Sequence, residues 1–158
     1  YIKYEIQFFE GVNKWEDVGV VSRLRYYSKK TIVIEDSFYH YNKLNSQSIV
    51  SVYSIKKIEE QMRCASLLDI FFRDKGDSFL IVRYYLKFIS KSDLLFIRTI
   101  RDAKRWKNTF EETHNMIWKF VNLPINIRLI FWLASKGFFN VSCFLIDIKQ
   151  FIYKLKHR

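Results

Sequence analysis

The side chains this sequence offers in greatest surplus for chemistry are cations. Its 158 residues carry 27 Lys and Arg against 16 Asp and Glu, a formal net charge of +11. The excess is uneven: residues 1–60 hold nine basic against eight acidic side chains, residues 61–120 twelve against seven, and residues 121–158 six against one. Such a surplus suits an anionic partner, either nucleic acid or an acidic membrane surface. The cations gather at Arg23, Arg25, Lys29 and Lys30, at Lys56 and Lys57, at Lys87 and Lys91, around Trp106 as Lys104, Arg105 and Lys107, and in the tail as Lys149, Lys154, Lys156 and Arg158. Catalytic patterns are missing beside them. His40, His114 and His157 show no metal-ligand spacing, no nucleophile elbow, P-loop or dinucleotide fingerprint occurs, and four glycines leave little from which to build a phosphate-cradling loop. Cys64 and Cys143 lie far apart without a CxxC element, which reads as two free thiols rather than zinc ligands or a disulfide framework. The residues thus predict no catalytic group, no metal and no cofactor.

These cations need a scaffold. With 49% hydrophobic and 18% aromatic residues and a single proline, the chain has the material for one domain with a real core. Residues 15–99 read as short β-type runs split by polar turns, at 18–27, 31–34, 38–41, 48–58, 67–72, 78–85 and 94–98. Glu35-Asp36-Ser37 and the stretch around Gly76 supply tight turns. Beyond them, Ile100, Ala103, Trp106, Phe110, Ile117 and Val121 follow helical spacing, and Thr99 with Asp102 forms a helix start signal. Seven strands and one amphipathic helix predict a mainly β barrel or sandwich, its open end plugged by Trp106.

Three stretches, in this order, resemble the pleckstrin-homology (PH) family. Lys30-Thr-Ile-Val-Ile-Glu-Asp-Ser-Phe-Tyr-His-Tyr-Asn-Lys43 resembles its second and third strands, Ser51-Val-Tyr-Ser-Ile-Lys-Lys-Ile58 its fourth, and Leu95-Phe-Ile-Arg-Thr-Ile-Arg-Asp-Ala-Lys-Arg-Trp106 its last strand and helical tryptophan. The resemblance covers residues 15–120 and implies a seven-stranded PH-like barrel capped by a helix, with residues 1–14 as an N-terminal extension and residues 121–158 as a helical one. It also implies an inositol-phosphate or other lipid-headgroup site at Arg23, Arg25, Lys29 and Lys30, around the turn between the first two strands. Alternation would put Arg23 and Arg25 on one strand face. The sequence departs from the family in one respect: Thr31 and Ile32 follow Lys30, so the second strand lacks its Lys-x-Arg element.

In the tail, Pro124 suits a first helical turn, Ser135-Lys136-Gly137 reads as a helix stop, and a second helix begins at Asn140. Val141, Phe144, Leu145, Ile148, Phe151, Ile152 and Leu155 form its apolar stripe, with Lys149, Lys154, Lys156 and Arg158 off it. This amphipathic hairpin is expected to pack on the domain, or to contact a membrane or a protein partner. The functional expectation is a non-catalytic adaptor, cytoplasmic and peripheral at a membrane face, recruited by anionic phospholipid such as a phosphoinositide or phosphatidic acid. The alternative is a protein-interaction or scaffold module within a larger assembly. Nucleic acid is disfavoured, since Tyr26, Tyr27, Tyr84 and Tyr85 read equally well as ordinary barrel residues. No run of about 18 apolar residues suggests a membrane span. The chain opens on Tyr1, which we read as an excerpt whose upstream targeting or acylation signals lie outside it.

Overall fold

A computed structural model describes residues 4–32, 54–97 and 99–156. Among them every regular element is helical: α1 (Glu16–Tyr27), α2 (Ile55–Arg73), a 3-10 turn (Asp77–Phe79), α3 (Leu80–Ser90), α4 (Asp93–Phe96), α5 (Ile100–Asn108), a 3-10 segment (Glu111–Lys119), α6 (Ile125–Ser135) and α7 (Phe139–Lys156). The expected mainly β fold is therefore wrong. With no strand among the described residues, there is no barrel for Trp106 to plug, and the PH resemblance does not hold.

The expected strand at 18–27 is α1, that at 67–72 lies inside α2, that at 78–85 spans a 3-10 turn and α3, and that at 94–98 overlaps α4. Residues 33–34, 38–41 and 48–53 fall outside the described part, and the described end of the expected strand at 48–58 opens α2. Propensity misled here. Val, Ile, Phe and Tyr favour strands only because they suit a half-buried pleated surface, and tertiary packing overrides that preference. In α2 the residues that become buried are Ile58, Gln61, Cys64, Ala65, Leu68, Asp69 and Phe72, a helical stripe whose two polar members hide its period.

The chain divides into two compact units, Tyr1–Leu68 and Asp69–Arg158. In the first, α1 and α2 approach closely at Gly19, where an added Cβ would stand 3.0 Å from the Phe9 ring and 3.3 Å from Cys64 Sγ. The Cys64 thiol donates to the Trp15 carbonyl at 3.3 Å, and burial pushes its pKa up to about 11. Ile6, Val12, Val20, Ile58, Ala65 and Leu68 complete this core.

The second unit is built around aromatic rings. Phe88 of α3 meets Trp106 of α5, Phe120 and Phe131 of α6, with ring centroids 6.0, 5.1 and 4.9 Å away. Trp106 is fully buried, with Phe131 stacked on one contact and His114 on another. The start signal at Thr99 works as its chemistry requires: the side chain accepts the Asp102 amide at 3.0 Å. The helix ends sooner than its apolar spacing predicts, because Phe110 turns left-handed (φ 49°) and the chain continues as a 3-10 segment. The helical hairpin after Pro124 is present as α6 and α7. Gly137, at φ 91°, ends α6, with the Phe138 amide donating back to the Leu133 carbonyl at 3.0 Å. Ser142, buried on α7, donates to the Ile130 carbonyl at 3.2 Å and so ties α7 to α6.

Candidate functional site

Two features of the second unit concentrate chemistry. The first is a charged core. Asp69, on the last turns of α2, is only 3% exposed and accepts from Arg73 at 3.0 Å, Arg83 at 2.7 Å and Lys87 at 3.0 Å. Burial alone would raise its pKa, but the hydrogen bonds from Arg83, Lys87 and Arg73 outweigh it and hold the carboxyl at about 2. Lys87 also donates to Glu112 at 2.9 Å. Burial would depress this amine, yet Glu112 and Asp69 raise it above its ordinary value. Asp69, Lys87 and Glu112 thereby join α2 and α3 to the 3-10 segment.

Beside this chain of charges lies Lys91, whose side chain is completely buried. Its Nζ donates to the carbonyls of Trp106 (3.1 Å), Thr109 and Phe110 (3.4 Å), and sits 2.9 Å from His114 Nε2. The last carbonyls of a helix lack intrahelical donors, and these lie where α5 ends, so the ammonium caps the negative end of α5. It also stands 4.6 Å from the centre of the Trp106 ring. Burial pulls the pKa of Lys91 down to about 7 against the opposing pull of Glu112 and Glu111. Burial, then Lys91 and Lys107, push His114 down to about 4. A lysine so depressed is chemically a nucleophile or base. Lys91, however, exposes no surface to a substrate, and its donors are taken by the backbone. As arranged, it holds α5 in place.

The second feature is the outer face of α7. Ser142 and Ile146 are buried on the packed side, whereas Val141, Phe144, Ile148, Phe151, Ile152 and Leu155 are all exposed, Phe144 and Phe151 at 63%. At about 100° per residue these six fall within an arc about 100° wide, turned away from the packed side. Lys149 is exposed on one flank, beside the helix position of Lys156, and the other flank carries the exposed Asp147 and the helix position of Lys154. Arg158 lies outside the described residues.

The cations assigned to the N-terminal half are placed differently. Arg23 and Arg25 are on α1, where residues two apart point about 200° from one another, so strand alternation does not bring them together. Arg23 donates to the carbonyls of Gly19 and Gln7 and lies over the Phe9 ring at 4.0 Å, which employs it in packing. Lys29 and Lys30 follow α1 and are exposed. The sequence pattern misses Asp69, Lys87, Lys91, His114 and Glu112 as a group. One signal was available: Asp69 stands inside Leu67-Leu68-Asp69-Ile70-Phe71-Phe72, and an acid within an apolar helical run that must be buried demands cationic partners.

Among the described residues, no helix is long and apolar enough to cross a membrane. Comparisons with protein-family models, with curated proteins and with solved structures find no match to this chain.

Proposed function

We propose that this chain is a non-catalytic helical module that docks peripherally on an anionic membrane surface through the outer face of α7. One observation carries the reading: an arc of six exposed apolar residues, two of them phenylalanines, lies opposite the packed side of α7, with the positions of Lys149 and Lys156 along one flank and those of Asp147 and Lys154 along the other. Apolar side chains in such an arc gain by entering the acyl boundary of a bilayer, while basic residues beside it face the headgroups. Each basic residue near an anionic surface contributes about 1 kcal/mol, so the net charge of +11 adds attraction that the apolar face converts into a stable pose.

Sedimentation with vesicles tests this. The full chain is expected to pellet with phosphatidylcholine vesicles containing phosphatidic acid, far less with phosphatidylcholine alone, and less as salt rises. The double variant Phe144→Asp with Phe151→Asp replaces two exposed residues and is expected to fold normally by circular dichroism while losing at least about a hundredfold in vesicle affinity. Equal binding to neutral vesicles, or undiminished binding by the double variant, sinks the proposal.

A second reading is favoured by spacing. Val141, Phe144, Ile148, Phe151 and Leu155 are separated by three, four, three and four residues, the step of a coiled-coil seam. A helical protein partner would use that seam, and formation of a dimer or hetero-complex without lipid in sedimentation velocity would support this reading over the first.

A further inference from the structure

Apart from the charged core and the α7 face, the second unit contains a pit of about 240 Å³. Phe96 of α4, Ile127, Ile130 and Phe131 of α6, and Ile146 of α7 wall it, and Lys149 and Gln150 complete the lining. Ile130, Phe131 and Ile146 are buried core residues, so this is a recess in the packing rather than a dip between surface side chains. Among the described residues, Lys149, itself exposed, is the one charged residue lining it. An apolar recess of this kind holds water poorly. A cavity of about 150 Å³ lined by aliphatic and aromatic side chains stays dry yet admits benzene.

The geometry points to a binding site for the unbranched alkyl chain of a single medium-chain carboxylic acid, its hydrocarbon in the pit and its carboxylate at Lys149. The wall offers apolar contact and no charge to be matched, which selects hydrocarbon. The cation on the lining selects an anionic head. Scaled from the six carbons of benzene in a cavity of about 150 Å³, the pit of about 240 Å³ holds about ten carbons. This site shares Lys149 with the flank of the outer face of α7 but none of its six apolar residues, and it does not require that face to meet a membrane.

Calorimetric titration of the full chain with a series from hexanoate to dodecanoate, kept below self-association, tests the assignment. Each added methylene is expected to tighten binding about fourfold, with the gain flattening once the chain outgrows the pit near decanoate. Lys149→Glu is expected to weaken decanoate about tenfold or more and to leave decanol unchanged. Ile127→Trp, at a half-buried wall position, fills the pit and is expected to abolish binding of both. The proposal is overturned by affinity that does not rise with chain length, by decyltrimethylammonium binding as tightly as decanoate, or by Ile127→Trp binding like the parent. The chain-length series uses the unaltered protein, so it stands even where a variant misfolds. Vesicle sedimentation of Ile127→Trp, whose α7 arc is intact, reads membrane docking separately, so either proposal can fail without the other.

Discussion

Asp69→Ala is expected to destabilise the second compact unit by about 3–5 kcal/mol, measured by urea unfolding followed by circular dichroism. Its carboxylate is the common partner of Arg83 and Lys87, whose side chains are only 12% and 14% exposed. Removing it leaves two largely desolvated cations facing each other, with Glu112 compensating Lys87 alone. Asp69→Asn keeps the shape but loses the charge, and is expected to cost nearly as much. Arg73 supplies an internal contrast. It touches the same carboxylate but is 61% exposed, so Arg73→Ala is expected to cost less than about 1 kcal/mol. Equal costs for Asp69→Ala and Arg73→Ala would refute this account of the core. Acid follows the same logic: because the folded-state pKa is about 2 against 3.8, the contribution of Asp69 is complete above pH 3.8 and is lost as pH falls toward 2.

The second large effect is an unusual rise of stability with pH. Lys91 is depressed from 10.5 to about 7, so between those values the unfolded chain binds more protons than the folded one, and stability climbs as pH increases. His114, depressed from 6.5 to about 4, acts with the same sign lower down: stability falls as pH drops from 6.5 through 4. Cys64 opposes the trend above its ordinary 9.0, since its raised thiol pKa makes the folded state hold the proton longer. The clean window is therefore pH 7 to 9, across which the second unit is expected to gain on the order of a few kcal/mol. Lys91→Met is expected to lower stability at pH 9, because the carbonyls at the end of α5 lose their donor, and to flatten the pH 7 to 9 slope. A slope that persists in Lys91→Met would assign the effect to another group.

The parts of the fold legible in the sequence are those governed by local chemistry. Thr99 reads as a helix start because a hydroxyl three residues before an amide can accept from it, and Pro124 and Gly137 bracket α6 because proline's fixed φ suits the step into a helix and glycine takes without strain the positive φ that ends one. Gly76, at φ 101°, sits in the turn its neighbours announce. The run from α1 to α4 was legible only as apolar and aromatic. Its helical period is masked where Gln61 and Asp69 take positions on the buried stripe of α2, and strand propensity fills the gap. The charged core escapes for another reason. Asp69 and Arg83 are 14 residues apart and Lys91 and His114 are 23, so each partner looks like an ordinary solvated charge until the helices are assembled. The outer arc of α7 is the converse case: its stripe is plain in the sequence, but only packing tells which side of the helix is left uncovered.

The burial of Lys91 also has a kinetic meaning. Amine-reactive labels modify a lysine only when its amine is neutral and can meet the reagent, and Lys91 cannot meet it while α5 is seated on it. Once uncovered the amine is solvated, its pKa returns toward 10.5, and it reacts like any exposed lysine. Its labelling rate is therefore gated by opening of the helices around it, and approach of a ligand or surface elsewhere changes that rate only by changing how often the unit opens. In pulse labelling read by mass spectrometry, Lys149 reports the chain's surface and Lys91 reports its breathing, which gives this protein an internal clock for the lifetime of its folded state.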